Sequence, residues 1–329
     1  MASSRRPEIP SQALTAAAGT VRGMAFVAPP DLPGWLAAEL PFDRAAYRLE
    51  AGPDAGRRLH LVDHGPRGAR PVLLLHGNPT WSFLWRKVIR RLPELRCVAP
   101  DLLGLGLSDT LRLEEHTVQR HAGAVAELVT ALDLRGAVLV GQDWGGPVGC
   151  AAAAAVPERI AGRVFANTAV ILPKTLRGTA FHRFARRPVV SDLAFRLLGF
   201  PQNALHRAQA DRASIRGTTA RAYQAPLQGW KRRAAPLALA RMVPDSPGHP
   251  SVPALERGDL WARTASGPTA LVWGERDPVL GRALKRHEEA FPAAPVTRTA
   301  AGHFLQEEVP DELAAAVRWV VAEAGPAAG

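Results

Sequence analysis

The residues best placed to do chemistry in this 329-residue chain begin with a carboxylate between two glycines. Val140-Gly141-Gln142-Asp143-Trp144-Gly145 follows a short apolar run and leads into an alanine-rich stretch. Gly-x-Asp-x-Gly between a strand and a helix has the spacing of a nucleophile elbow, where flanking glycines permit a sharp turn that lifts one side chain above the sheet. Here that side chain is Asp143. A carboxylate attacks an electrophilic carbon with no proton to remove first and forms an ester. The chemistry suits alkyl centres that carry a leaving group. An Asp after a strand also reads as a helix N-cap, but both glycines and the preceding strand favour the nucleophile.

Its partners follow in the order acid, then histidine. Leu271-Val272-Trp273-Gly274-Glu275-Arg276-Asp277 sets an acid just past a strand, and Ala301-Gly302-His303-Phe304 sets a histidine past the last one. An imidazole held by a carboxylate can activate water to cleave the ester. Asp277 is preferred to Glu275, because three residues of loop after Gly274 let its carboxylate swing toward His303.

A third element is His76-Gly77-Asn78-Pro79-Thr80-Trp81, after the first long buried strand. In such folds this loop and the residue after the nucleophile each give a backbone N–H to the oxyanion hole, here Asn78 and Trp144. Their side chains add an amide N–H and an indole N–H, which ester hydrolysis does not use. Two neutral donors converging on one point suit a weakly hydrated anion such as halide. The plainer readings are a loop turn for Asn78 and core packing for Trp144.

The elements that must position these groups alternate. Residues 45–50 and 58–63 suggest an opening hairpin, and 71–75 (PVLLL) reads as a buried parallel strand. Helix over 85–92, strand over 97–99, helix over 116–132, strand over 137–140, helix over 144–155 and strand over 163–166 follow. The pattern resumes with strand 269–273, helix 281–291, strand 296–299 and helix 311–323. Such alternation predicts a mostly parallel sheet wrapped by helices. The intervening segment lacks strand signals and is too long for a loop, so residues 172–266 read as an inserted helical cap. The core occupies 41–171 and 267–329. Residues 1–40 read as an N-terminal extension, loosely ordered. Arg5-Arg6 resembles a twin-arginine export signal, but Pro7 and Glu8 follow and Arg22 interrupts a thin apolar stretch, which favours a loose terminus.

Composition narrows the partners. The chain is 47% hydrophobic and 22% charged, which excludes disorder of the whole, and no uncharged run spans a bilayer. The net charge of +11 is concentrated. Residues 173–266 hold 16 Lys and Arg against 5 Asp and Glu, and the rest of the chain holds 25 of each. No zinc-finger spacing or RNA-binding signature accompanies the excess, so no nucleic-acid partner is expected, and no membrane partner either. Cys97 and Cys150 cannot form a disulfide framework or a four-thiolate metal site; both sit in apolar runs, which fits a reducing cytoplasm. No metal or other cofactor is implied, and the oligomeric state is not encoded in any motif.

Taken together, residues 76–86 (HGNPTWSFLWR), 141–146 (GQDWGG), 274–281 (GERDPVLG) and 302–310 (GHFLQEEVP) resemble the haloalkane dehalogenases of the α/β-hydrolase superfamily. The similarity runs from about residue 40 to the C-terminus and includes Tyr223-Gln224-Ala225-Pro226 in the cap. The resemblance implies an α/β-hydrolase fold with an inserted cap and hydrolysis of alkyl halides to alcohol, halide and a proton, through an alkyl ester on Asp143. It implies His303 as base, Asp277 as its acid, and Asn78 with Trp144 as the halide-binding pair. Some members place the acid after the preceding strand; Ala166-Asn167-Thr168-Ala169 holds no carboxylate there. The leader and the basic cap are not family features. Epoxide hydrolases share GQDWGG but need a pair of cap tyrosines, and of the two tyrosines only Tyr223 falls in the cap. Fluoroacetate dehalogenases follow the nucleophile with arginine, where Trp144 stands. A non-catalytic binding module on this scaffold is the reading from outside enzymology, against which all three triad positions are filled.

Overall fold

Strands covered by helices on both faces must be apolar on both faces, and the middle of this sheet meets that demand. The computed structural model describes residues 25–326. Its strands are β1 (Phe26–Val27), β2 (Arg44–Arg48), β3 (Arg58–His64), β4 (Pro71–Leu75), β5 (Arg96–Pro100), β6 (Ala137–Asp143), β7 (Ile160–Thr168), β8 (Thr269–Gly274) and β9 (Val296–Thr299). They form one sheet in the order β1-β2-β3-β5-β4-β6-β7-β8-β9. Pairing is antiparallel from β1 to β5 and parallel from β5 to β9. Every residue of β4 and β8 is buried.

Alternation along the strands divides the core in two. Leu73, Leu75, Leu139, Phe165, Leu271 and Trp273 face one helical layer, and Val72, Leu74, Val138, Val140, Val164 and Val272 face the other. The helices are α1 (Gly34–Glu39), α2 (Arg86–Ile89), α3 (Val118–Ala131), α4 (Gly145–Ala153), α5 (Ala180–Ala185), α6 (Val190–Asp192), α7 (Gly217–Gln224), α8 (Gly229–Arg232), α9 (Ala234–Arg241), α10 (Val252–Thr264), α11 (Leu284–Ala290), α12 (Leu305–Glu308) and α13 (Pro310–Glu323). Thr117 caps α3 by accepting from the Arg120 N–H at 3.1 Å. Among the described residues no strand lies between β7 and β8, and no helix is long and apolar enough to cross a membrane.

Two boundaries differ from expectation. α10 was expected within the 172–266 cap, yet it packs on α4, with Gly258 against Cys150 and Ala151, and its Ala254, Leu255 and Trp261 join the core beneath the sheet. The helices before it hold a small apolar cluster of their own, Ala185, Phe195, Leu237 and Ala240. The loose extension expected over 1–40 lies outside the described residues up to residue 24. Beyond that, β1 pairs with β2, and Leu36 and Leu40 are buried in the core. Two apolar anchors and a strand register hold this part in place.

Candidate active site

Asp143 ends β6 with φ of +50°, a left-handed conformation uncommon outside glycine. The following turn folds back so tightly that a Cβ at Gly145 would lie 1.9 Å from the Leu75 carbonyl oxygen. Thr168, at the end of β7, donates its hydroxyl to the Asp143 carbonyl at 2.7 Å and so holds the strained peptide. Gly77 has no side chain to spare: a Cβ there would stand 2.2 Å from Asp143 Oδ1. The Asn78 backbone N–H donates to that oxygen at 2.7 Å, and the Trp144 backbone N–H also donates to the carboxylate. Oδ2 instead faces His303 Nε2, 3.7 Å away. Burial raises the Asp143 pKa above the ordinary aspartate value, opposed by His303 and the two backbone donors.

On the other side of the imidazole, His303 Nδ1 lies 2.8 Å from Asp277 Oδ2. An ionised carboxylate only accepts, so Nδ1 carries the proton and Nε2 keeps its lone pair. The second Asp277 oxygen accepts the Val279 N–H at 2.7 Å, which fixes the loop. Burial pushes the His303 pKa down, but Asp277, by charge and hydrogen bond, and Asp143, by charge, outweigh it; the imidazole stands above the ordinary histidine value. Glu275 points elsewhere, exposed and 3.4 Å from Arg298.

Three supporting residues escaped sequence reasoning. Gln142 donates to the His303 carbonyl at 3.1 Å and stands 3.3 Å from Nε2. Asn167 bridges the ends of β8 and the histidine loop, donating to the Gly302 carbonyl at 3.0 Å and accepting from the Gly274 N–H at 2.9 Å. Gln209 accepts from the Phe304 N–H and donates to the Phe304 carbonyl. Only Gln142 left a signal, its place inside the elbow.

The two side-chain donors differ in their commitments. Asn78 donates one amide proton to the Pro236 carbonyl of α9 at 3.0 Å, leaving the other. No acceptor among the described residues takes the indole N–H of Trp144, which is almost buried. Both tyrosines are engaged with carboxylates: Tyr223 donates to Glu307 at 2.6 Å and Tyr47 to Glu127 at 3.0 Å. Glu307 also binds Arg86 and Lys87, and Arg86 and Glu307 are both buried. Two surface clefts of about 400 and 300 Å³ lie away from this centre, lined by neither Asp143 nor His303.

Residues 70–310 match the model of the alpha/beta hydrolase fold family. A haloalkane dehalogenase of Mycolicibacterium paratuberculosis is 34% identical over 269 residues, covering 78% of this chain and 85% of that relative. Haloalkane dehalogenase 1 of Mycobacterium bovis is 37% identical over 286 residues, covering 83% and 91%. Among solved structures, haloalkane dehalogenase DpaA of Paraglaciecola agarilytica superposes with a TM-score of 0.73 at 25% identity, over 90% of this chain and 98% of that one. DatA of Agrobacterium tumefaciens gives 0.73 at 27% identity, over 85% and 97%. With its elbow, histidine and acid assembled on this sheet, and with these relatives along most of its length, the chain belongs to the haloalkane dehalogenases of the alpha/beta hydrolase fold.

Proposed function

We propose that Asp143, His303 and Asp277 carry out hydrolytic dehalogenation of an alkyl halide in two steps. The observation that supports it most is the asymmetry of the Asp143 carboxylate. Oδ1 accepts the Asn78 backbone N–H, so Oδ2, which faces His303, is the oxygen free to attack carbon. In the first step a bond forms from Oδ2 to the substrate carbon while the carbon–halogen bond breaks, the electron pair leaving with the halide. The remaining amide proton of Asn78 and the indole N–H of Trp144 would receive that halide.

In the second step water attacks Cγ of the ester and gives a proton to His303 Nε2, whose imidazolium is supported by Asp277. Negative charge then collects on Oδ1, where the Asn78 and Trp144 backbone donors stabilise it. Oδ2 then leaves with the substrate carbon, takes the proton back from His303 and departs as the alcohol; the regenerated Asp143 carboxyl loses the second water proton to solvent. A reducing cytoplasm is the setting consistent with Cys97 and Cys150, both buried and unpaired.

Epoxide opening draws less support, because the cap tyrosine available to protonate the departing oxygen is hydrogen-bonded to Glu307. The test is release of halide and proton across a panel of brominated and chlorinated alkanes. Stoichiometric alcohol, halide and acid support the proposal; inertness toward the whole panel overturns it.

A further inference from the structure

The cap carries a surface the reaction does not use. Val189, Val190, Leu193, Leu197, Leu198 and Trp230 are large apolar residues standing in solvent, with Val189 69% and Leu198 70% exposed. They are one patch. Leu193–Leu197 forms a single wide helical turn directly after α6, and Trp230 of α8 lies beside it with the Arg196 guanidinium 4.0 Å over its ring. Phe195, between the exposed leucines, turns inward to the cap's apolar cluster, so the leucines face outward by the helical period rather than through poor packing. Monomeric proteins rarely leave such a contiguous patch without a partner.

The backbone also holds it out. Val189 has φ of +62° and ψ of −58°, and the Val190 N–H donates to the Pro188 carbonyl at 2.6 Å, a tight three-residue turn. Such a turn is strained, and more so at a β-branched residue. Arg187 and Lys231 border the patch; both are exposed, and neither forms an ion pair among the described residues. The segment around them holds the chain's whole positive excess.

We propose that this face docks on an anionic lipid surface, with the leucines, valines and Trp230 entering the interface and the flanking cations meeting lipid phosphates. This reverses the expectation of no membrane partner and goes beyond the dehalogenase reading, which holds whether or not the chain docks. A second copy of the chain fits less well, because a two-fold contact would set Arg187 and Lys231 against like charges.

The test is co-sedimentation of the full chain with vesicles of phosphatidylcholine alone or mixed with phosphatidylglycerol. The chain is expected to pellet with the mixed vesicles and to be released by salt. Arg187→Gln and Lys231→Gln should each weaken binding roughly fivefold. Leu197→Asp with Leu198→Asp should abolish it without changing the melting temperature, since both side chains are exposed. No pelleting with mixed vesicles at low salt overturns the proposal, as does pelleting that survives the double substitution. A lipid-independent dimer dissolved by the same substitution would assign the face to a second copy instead.

Discussion

His303 Nδ1 and Asp277 Oδ2 lie 2.8 Å apart and bring together two loops that leave the sheet after different strands, β9 and β8. The contact fixes both the tautomer and the tilt of the imidazole. Asp277→Asn should therefore slow ester hydrolysis by roughly 10³–10⁴-fold, the scale seen when a triad carboxylate is neutralised. Glu275→Gln, at an exposed side chain turned to Arg298, should change turnover little. Steady-state kinetics on both variants check this; reversed effects would mean that the acid is Glu275.

The same contact sets a pH dependence. His303 must be neutral to accept a proton from water, and its pKa is raised above the ordinary value of 6.5. Ester hydrolysis should accordingly fall as pH drops and His303 takes up a proton; Asp277 holds that inflection up, while the esterified Asp143 no longer contributes its charge. Asp277→Asn removes the largest raising influence, so the residual activity should lose its acid limb at a lower pH. A pH profile of single-turnover hydrolysis measures both inflections.

Separation of the two steps gives a third expectation. In the proposed scheme Asp143 attacks as a carboxylate, so the first step does not need His303. His303→Ala should release about one halide per active site and then stop, carrying an adduct on Asp143 with the mass of the alkyl group. Mass spectrometry of the intact chain and a halide assay read the outcome. Continuous turnover would refute the covalent scheme.

Trp144→Phe removes an uncommitted indole N–H at a nearly buried site and should reduce halide release by about 2.7–4 kcal/mol of barrier, with little loss of stability. Asn78→Ala should cost activity and stability together, because it also frees the Pro236 carbonyl. Pre-steady-state halide release and thermal melting distinguish the two. Unchanged turnover in both would end the halide-site assignment.

Glu307→Gln leaves the buried Arg86 guanidinium without its counter-charge, and loss of one partner of a buried pair costs about 3–5 kcal/mol. Urea unfolding should show that loss. A midpoint like that of the parent chain would mean that Arg86 finds another acceptor.

What the residues disclosed depended on how local the information was. β4 is set by PVLLL, an apolar run closed by His76-Gly77, and both its ends fall where the sequence placed them. The Asp143 turn was legible because glycine at 141 and 145 reports a backbone demand directly. Asn167 and Gln209 gave no such sign. Their partners Gly302, Gly274 and Phe304 meet them only through the register of β7 with β8 and the docking of the cap. α10 shows the same limit. Its amphipathic period announces a helix but not whether the apolar stripe meets the cap or α4, and a smooth approach at Gly258 decides it. Tyr223 was read by position as a cap side chain; what removes it from the chemistry is a carboxylate 84 residues away in sequence.

Asn78 is bound at both ends, its backbone to Asp143 and its side chain to Pro236. The cap is therefore not an interchangeable lid. Any cap transplanted onto this sheet to change the shape of the entrance must deliver a carbonyl oxygen to the same point, or the Asn78 amide loses the acceptor that orients it, and with it the place proposed for the halide. Shape and reactivity are inherited together here, through one residue that belongs to neither part alone.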